Sequence, residues 1–264
     1  MSRQQVSTHL CQTAPQTYRE FGTLYMMLLG KRGTYMSTFY TGKRARHYNT
    51  SWHTFTARTL EETKAMIDVA ALRFVPERLG RCSRVLDIAC GTGILLKQLL
   101  ALVPGVEAYG VDASADMLVQ ARLALKGQQH AHLERAQIGT GGTANLPYAQ
   151  ETFDLITCTN ALHDLPEPAG TLAGLRRLLA PGGQLVVEDL AQRELLFLWA
   201  AFEWLLRRIE GSSVRSYTLA EAQVLCQQAE LHVANGKVFK VDWLWHGWVI
   251  RAYRTVSEAG QART

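Results

Sequence analysis

The rhythm of apolar and polar positions changes near residue 81. Before it, helical spacing dominates. Residues 17–29 read as a short helix stopped by Gly30, followed by a joint holding Gly33 and Gly42. Residues 56–75 (TARTLEETKAMIDVAALRFV) predict a longer helix with Leu60, Met66, Ile67, Ala70, Leu72 and Phe74 near one apolar face, limited by Pro76. After Arg81, short apolar runs alternate with helical segments. RVLDIA (84–89), EAYGVD (107–112), HLERAQ (132–137), FDLITCT (153–159) and QLVVEDL (184–190) predict strands. Between them lie helices over 94–103, from 115 to about Lys126 with Ser114 as its cap, and over 168–179. Pro181-Gly182-Gly183 predicts the turn into the fifth strand. An apolar helix from about Arg193 to Arg208 and another from Thr218 to Glu230 follow. The segment HVANGKVFKVDWLWHGWVIRAYR predicts a β-hairpin turning near His246-Gly247.

Five βα repeats and a closing hairpin predict an α/β protein with a doubly wound sheet. The expected organisation is an N-terminal helical cap over residues 1–80, a core over 81–256 and a tail over 257–264. Ligands of such sheets bind beyond the carboxyl ends of the strands. The 264 residues and 47% hydrophobic content fit a globular chain. No apolar run approaches the ~18 residues of a membrane span. The start, MSRQQVSTHLCQ, lacks the apolar stretch of a secretory signal, so a cytoplasmic location is expected. Cys11, Cys82, Cys90, Cys158 and Cys226 are dispersed, which reads as free thiols with no bound metal. The basic character is local. Residues 1–80 hold 11 Lys/Arg against 5 Asp/Glu, including Lys31, Arg32, Lys43, Arg44 and Arg46, whereas the remainder is close to balance. This is either a solvated face or a surface that attracts an anionic partner.

The first strand runs into Asp87-Ile88-Ala89-Cys90-Gly91-Thr92-Gly93 just before a helix. Glycines there let the chain turn sharply and let a ligand approach the backbone. The third glycine of the dinucleotide fingerprint is missing, and no Gly-Lys-Ser/Thr follows as in a P-loop. The second strand ends at Asp112, whose carboxylate can accept hydrogen bonds from two ribose hydroxyls. Together these fit a nucleoside ligand. A tight structural turn and a surface carboxylate are the competing readings.

With VLDIACGTG (85–93), GVDASADMLVQAR (110–122), GTANLPYAQETFDLI (142–156) and LRRLLAPGGQLVVEDL (175–190) in order, the chain resembles the class I S-adenosylmethionine-dependent methyltransferases, in the ubiquinone/menaquinone-biosynthesis group that acts on small molecules. The resemblance implies a Rossmann-like, mostly parallel seven-stranded sheet. It implies S-adenosylmethionine as methyl donor and S-adenosylhomocysteine as product. Asp87 and the Ala89, Cys90, Gly91 and Gly93 backbone would line the methionine end, and Asp112 would hold the ribose. Ala113 and Met117 would lie beside the adenine, and Thr159 and Asn160 near the sulfonium. Gly142 and Thr143 stand where the family often has Asp-Ala, so the adenine amino group must be read by backbone or another side chain. Ala89 replaces a common loop glycine. Ala45-Arg46-His47-Tyr48-Asn49 resembles a family segment that packs over the cofactor. That makes Tyr48 a candidate contact, with an aromatic anchor of the cap as the alternative.

Methyl transfer asks mainly for alignment and exclusion of water. A base is needed only where the acceptor carries a proton. His163, after the fourth strand, is the candidate base with Asp164 to orient it; helix capping is the alternative. The apolar helix near residues 195–206 either packs in the core, walls an apolar acceptor pocket or touches a membrane surface. The expected partner is a small, partly apolar acceptor. Nucleic acid is not favoured, because no Asn/Asp-Pro-Pro-Tyr follows the fourth strand. Protein methylation, arsenite methylation through thiolates and S-adenosylmethionine binding without catalysis are the remaining rivals.

Overall fold

The computed structural model describes residues 40–138, 143, 146–165, 167–191, 216–243 and 245–254. The expected helices over 17–29 and 193–208, the pair Lys31 and Arg32, Cys11, Gly142 and the tail over 257–264 lie outside them. The described elements are α1 (Lys43–Ser51), α2 (His53–Met66), α3 (Val69–Leu79), β1 (Arg84–Ile88), α4 (Ile94–Leu102), β2 (Glu107–Asp112), α5 (Ala115–Ala124), β3 (Ala131–Arg135), β4 (Phe153–Thr159), α6 (Pro168–Leu178), β5 (Leu179–Leu190), α7 (Leu219–Gln228), β6 (Leu231–Lys240) and β7 (His246–Arg254), with a single 3-10 turn at Leu162–Asp164.

The seven strands form one sheet in the order β3-β2-β1-β4-β5-β7-β6. The first five pair in parallel, and β7 enters antiparallel between β5 and β6. Order reverses at β1, so the crevice lies over the carboxyl ends of β1, β2 and β4. Helices α2, α3 and α4 bury Met66, Ile67, Leu72, Leu95 and Leu99 against Val85, Leu155, Val186 and Val249 on one face. The opposite face is covered by α6 and α7, with Leu86, Ile88, Val187 and Trp248 beneath Leu172, Leu175 and Cys226. Strand alternation therefore sends successive side chains of one strand to different sides of the molecule.

Four details differ from the sequence-based expectation. The helix expected over 56–75 breaks at Ile67–Asp68, where Asp68 exchanges two backbone hydrogen bonds with the Gln184 amide, each 2.9 Å. Asp68 Oδ1 then accepts from Ala71 N–H and caps α3. The break resets the helical phase, so Leu72 is buried whereas Ala70 and Phe74 are exposed. Pro76 does not limit α3, which runs on to Leu79. Proline leaves the carbonyl four residues earlier without its helical donor. Here that carbonyl, Leu72 O, accepts from Ser83 Oγ at 2.5 Å. The Pro181-Gly182-Gly183 turn is carried inside β5, whose register with β4 shifts between the Leu179 and Gln184 pairings. The hairpin turns between Lys240 and His246, and His246 and Gly247 already belong to β7. Gly247 sits in the strand because a Cβ there would lie 2.4 Å from the Phe239 ring.

Candidate active site

The loop after β1 is held in an unusual backbone shape. Ala89, Gly91 and Gly93 have φ of 54°, 54° and 72°. Glycine enters this left-handed region freely; Ala89 does so at a cost of about 1 kcal/mol. Gly93 N–H returns to Cys90 O at 2.9 Å, and Cys90 N–H donates to Val111 O at 3.0 Å. Asp112 at the end of β2 grips the same loop: one oxygen accepts from Gly91 N–H and the other from Ser114 N–H, both at 2.8 Å. Each oxygen keeps a lone pair for a further donor. Burial raises the Asp112 carboxyl above its ordinary range, and the two amide donors partly offset that. Ser114 caps α5 through Met117 N–H, and Met117 lies buried with its Cε beside Gly91. Ala113 places its carbonyl against Arg135 Nε at 3.1 Å. Thr143 is buried with its side chain against Gly174 of α6. Cys90 is buried, and burial first, then the charges of Asp87 and Asp112, holds its thiol protonated.

Asp87 pairs with Thr157 across β1 and β4, and Thr157 Oγ1 donates to its carboxyl at 2.7 Å. Burial pushes Asp87 up to about 7; the Thr157 bond lowers it and the Asp112 charge adds to the rise. Two residues further along the same face, Thr159 pairs with Glu188. Asn160 follows with φ of 49°, donates from Nδ2 to Thr59 Oγ1 of α2 at 3.3 Å, and leaves Oδ1 buried without a partner. Asp87 and Glu188 thus share the side of the sheet that α2 covers.

The cap is fastened to the loops just described. Gly42 N–H donates to Asp116 at 2.6 Å, Ser114 Oγ to Tyr40 O at 2.7 Å, and Thr92 Oγ1 to Asn49 Oδ1 at 2.7 Å. Tyr48 packs edge-on against Tyr40 with centroids 5.1 Å apart. Its phenol is pushed up to about 12 by burial and by the charges of Glu188 and Asp112. Trp52, Phe55 and Trp245 form an edge-to-face series at 5.7 and 6.2 Å beside the carboxyl end of β5.

His163 is held differently. Nδ1 meets Asp189 Oδ1 at 2.6 Å, Nε2 faces Asp164 Oδ2 at 3.1 Å, and its backbone N–H donates to Asp189 Oδ2 at 2.8 Å. Burial lowers the imidazole pKa, but the charges and hydrogen bonds of Asp164 and Asp189 outweigh it and hold the ring protonated. Asp189 pairs with Trp248, on the sheet face opposite Asp87 and Glu188. The structure therefore brings Asp87, Asp112, Asn160 and Tyr48 together and sets His163 to one side. Glu188 is the site residue that sequence reasoning passed over. Its only signal was an acidic pair closing the otherwise apolar strand QLVVEDL.

Residues 86–185 match the methyltransferase domain family. The chain is 30% identical over 191 residues to the ubiquinone biosynthesis O-methyltransferase of Aromatoleum aromaticum, covering 67% of this chain and 77% of that protein. It is 35% identical over 131 residues to the demethylmenaquinone methyltransferase of Lactiplantibacillus plantarum, covering 48% of this chain and 53% of that one, about half its length. Among solved structures, a family 2 O-methyltransferase from Planctomyces limnophilus in complex with apigenin superposes with a TM-score of 0.62 at 20% identity, over 81% of this chain and 61% of that one. A Bacillus halodurans methyltransferase gives 0.55 at 20% identity, over 72% and 99%. These structures share the fold of the present sheet. Taken with the four motifs and the loop they build, the likenesses show that the chain belongs to the class I S-adenosylmethionine-dependent methyltransferases, in the ubiquinone/menaquinone-biosynthesis group.

Proposed function

We propose that the chain transfers a methyl group from S-adenosylmethionine to a small, partly apolar acceptor. The carrying observation is a pair of carboxyls, buried Asp87 and half-buried Asp112, at the ends of adjacent strands beside a left-handed glycine loop, with no described cation paired to either. That donor set suits a ligand bearing a sulfonium, an ammonium and two ribose hydroxyls. S-Adenosylmethionine supplies a methyl on positively charged sulfur and leaves as the neutral thioether S-adenosylhomocysteine.

The chain's own residues then bind, orient and exclude water. Asp112 holds the ribose hydroxyls through its remaining lone pairs. Asp87 and the Ala89, Cys90, Gly91 and Gly93 backbone receive the methionine end. Ala113 and Met117 flank the adenine, with Thr143 beyond. Thr159 and Asn160 border the reacting carbon, and Tyr48 closes the crevice from the cap. His163, gripped by two aspartates, serves as a fixed cation that shapes the end of β4 rather than as the base. The Trp52, Phe55 and Trp245 series suits an aromatic acceptor. That agrees with relatives named for menaquinone and ubiquinone biosynthesis. No described helix is long and apolar enough to cross a membrane, and no described group of three ligands could hold a metal ion.

Calorimetric titration of S-adenosylmethionine and S-adenosylhomocysteine tests the reading. Asp112→Ala should weaken both by about 1.5–3 kcal/mol through lost charge-assisted hydrogen bonds. Unchanged affinity in that variant would sink the ribose assignment.

A further inference from the structure

Glu188 is fully buried on β5, and neither carboxyl oxygen has a hydrogen-bond partner among the described residues. A buried acceptor left unsatisfied is costly, and a buried unpaired carboxylate more so. An apolar residue of similar volume would serve the fold better there, since the neighbouring positions on that face, Val186 and Val249, belong to the core. Beside Glu188 the Asn160 side-chain oxygen is also buried without a partner. Two orphaned acceptors at the carboxyl ends of adjacent strands mark a place completed by a ligand that donates hydrogen bonds.

Resting on the methyltransferase reading, we propose that Glu188 takes the proton from the acceptor, which therefore presents a neutral O–H or N–H to the Glu188 and Asn160 oxygens. The step balances. The acceptor heteroatom forms a bond to the methyl carbon as the carbon–sulfur bond breaks, and that bond's electron pair neutralises the sulfur. The heteroatom's proton passes to the Glu188 carboxylate. The surroundings set when Glu188 can accept it. Burial first, then the charge of Asp189, drives its carboxyl towards the protonated form. The His163 cation and the nearby Asn160 backbone N–H, which donates to the Glu188 main-chain carbonyl at 2.9 Å, act in the opposite sense without prevailing. Its charge reaches Tyr48 of α1, while Glu62 of α2 is already held by Arg58 and by Lys237. A positive sulfur arriving in the crevice favours the anion, so Glu188 becomes a base when the methyl donor is present. Anionic acceptors are disfavoured among so many carboxyls.

Infrared difference spectroscopy on the full chain tests this with S-adenosylmethionine and S-adenosylhomocysteine as probes. The wild type without ligand should show a buried protonated-carboxyl band that Glu188→Gln lacks. Saturating S-adenosylmethionine should abolish that band, and the neutral-sulfur product should leave it. Glu188→Leu should melt no lower than the wild type and bind S-adenosylhomocysteine within about twofold of it. The proposal is overturned if the wild-type and Glu188→Gln spectra coincide, or if the band survives S-adenosylmethionine. A purely structural role is indicated instead if Glu188→Leu loses stability. Calorimetry on the wild type separates the two levels, because absence of binding by either probe removes the methyltransferase reading itself.

Discussion

At the scale of single residues, Asp87 shows how a carboxyl buried for one purpose becomes sensitive to pH. An ordinary aspartate titrates near ~3.9, and Asp87 is raised to about 7 by burial. Between those values the folded state keeps a proton that the unfolded chain has released. Stability from this group is therefore lost as pH rises across that window and levels off above 7. A bound cation reverses the preference and favours the anion, so protons compete with it. Affinity for S-adenosylmethionine should fall by up to about tenfold per pH unit below 7. Asp87→Asn should flatten the dependence. Titration calorimetry from pH 5.5 to 8 checks both, and a flat wild-type profile would remove Asp87 from the methionine end. Sequence spacing marked Asp87 and Asp112 correctly as strand-end acids on a glycine loop. It did not mark Glu188, because nothing local tells which acid of a Glu-Asp pair faces the crevice and which faces the opposite helices.

At the scale of elements, strand and helix boundaries were largely legible, because burial on two faces leaves a strong mark on composition. β2 and β4 fall on the residues expected, and β1, β3, α5 and α6 end within a few residues of expectation. The joint at Ile67–Asp68 was not legible, because its cause is the Gln184 side chain on β5, over a hundred residues away. Gly110 teaches a related point. It lies inside β2, where a Cβ would stand 2.6 Å from Leu96, 2.8 Å from Leu133 and 2.9 Å from the Cys90 sulfur. Two of those atoms belong to α4 and to the loop after β1, so Gly110 sets how closely they approach the strand. Gly110→Ala should cost about 1–3 kcal/mol in urea unfolding, as overpacking does. A loss below about 0.5 kcal/mol would mean that α4 moves away freely.

At the scale of the whole molecule, the described cap is bonded to the loops that follow β1 and β2, through Tyr40, Gly42 and Asn49. On the proposed function, ligand binding at these loops and the docking of α1 therefore share atoms. Ordering the Gly91 and Asp112 region should steady Lys43–Ser51 as well. Amide exchange across that helix should slow at least ~10-fold when S-adenosylhomocysteine binds, because local opening must then break the liganded loop. Thr92→Val, which removes the donor to Asn49, should reduce that protection while the sheet exchanges as before. Equal exchange with and without ligand would show a cap that moves independently of the site.

Sequence alone determined the order of elements, the doubly wound class, the glycine loop and the acid that closes β2. Each of these is written in local periodicity or in residues a few positions apart. Only the tertiary structure decided that His163 is clamped as a cation, that Pro76 can lie within α3, and that Glu188 is buried without a partner. The first two outcomes depend on Asp189 and Ser83 reaching across from other elements, and the third on the packing around β5. The charge state of a side chain, or the satisfaction of a carbonyl, is a property of its three-dimensional neighbours. The pattern along the chain carries no record of them.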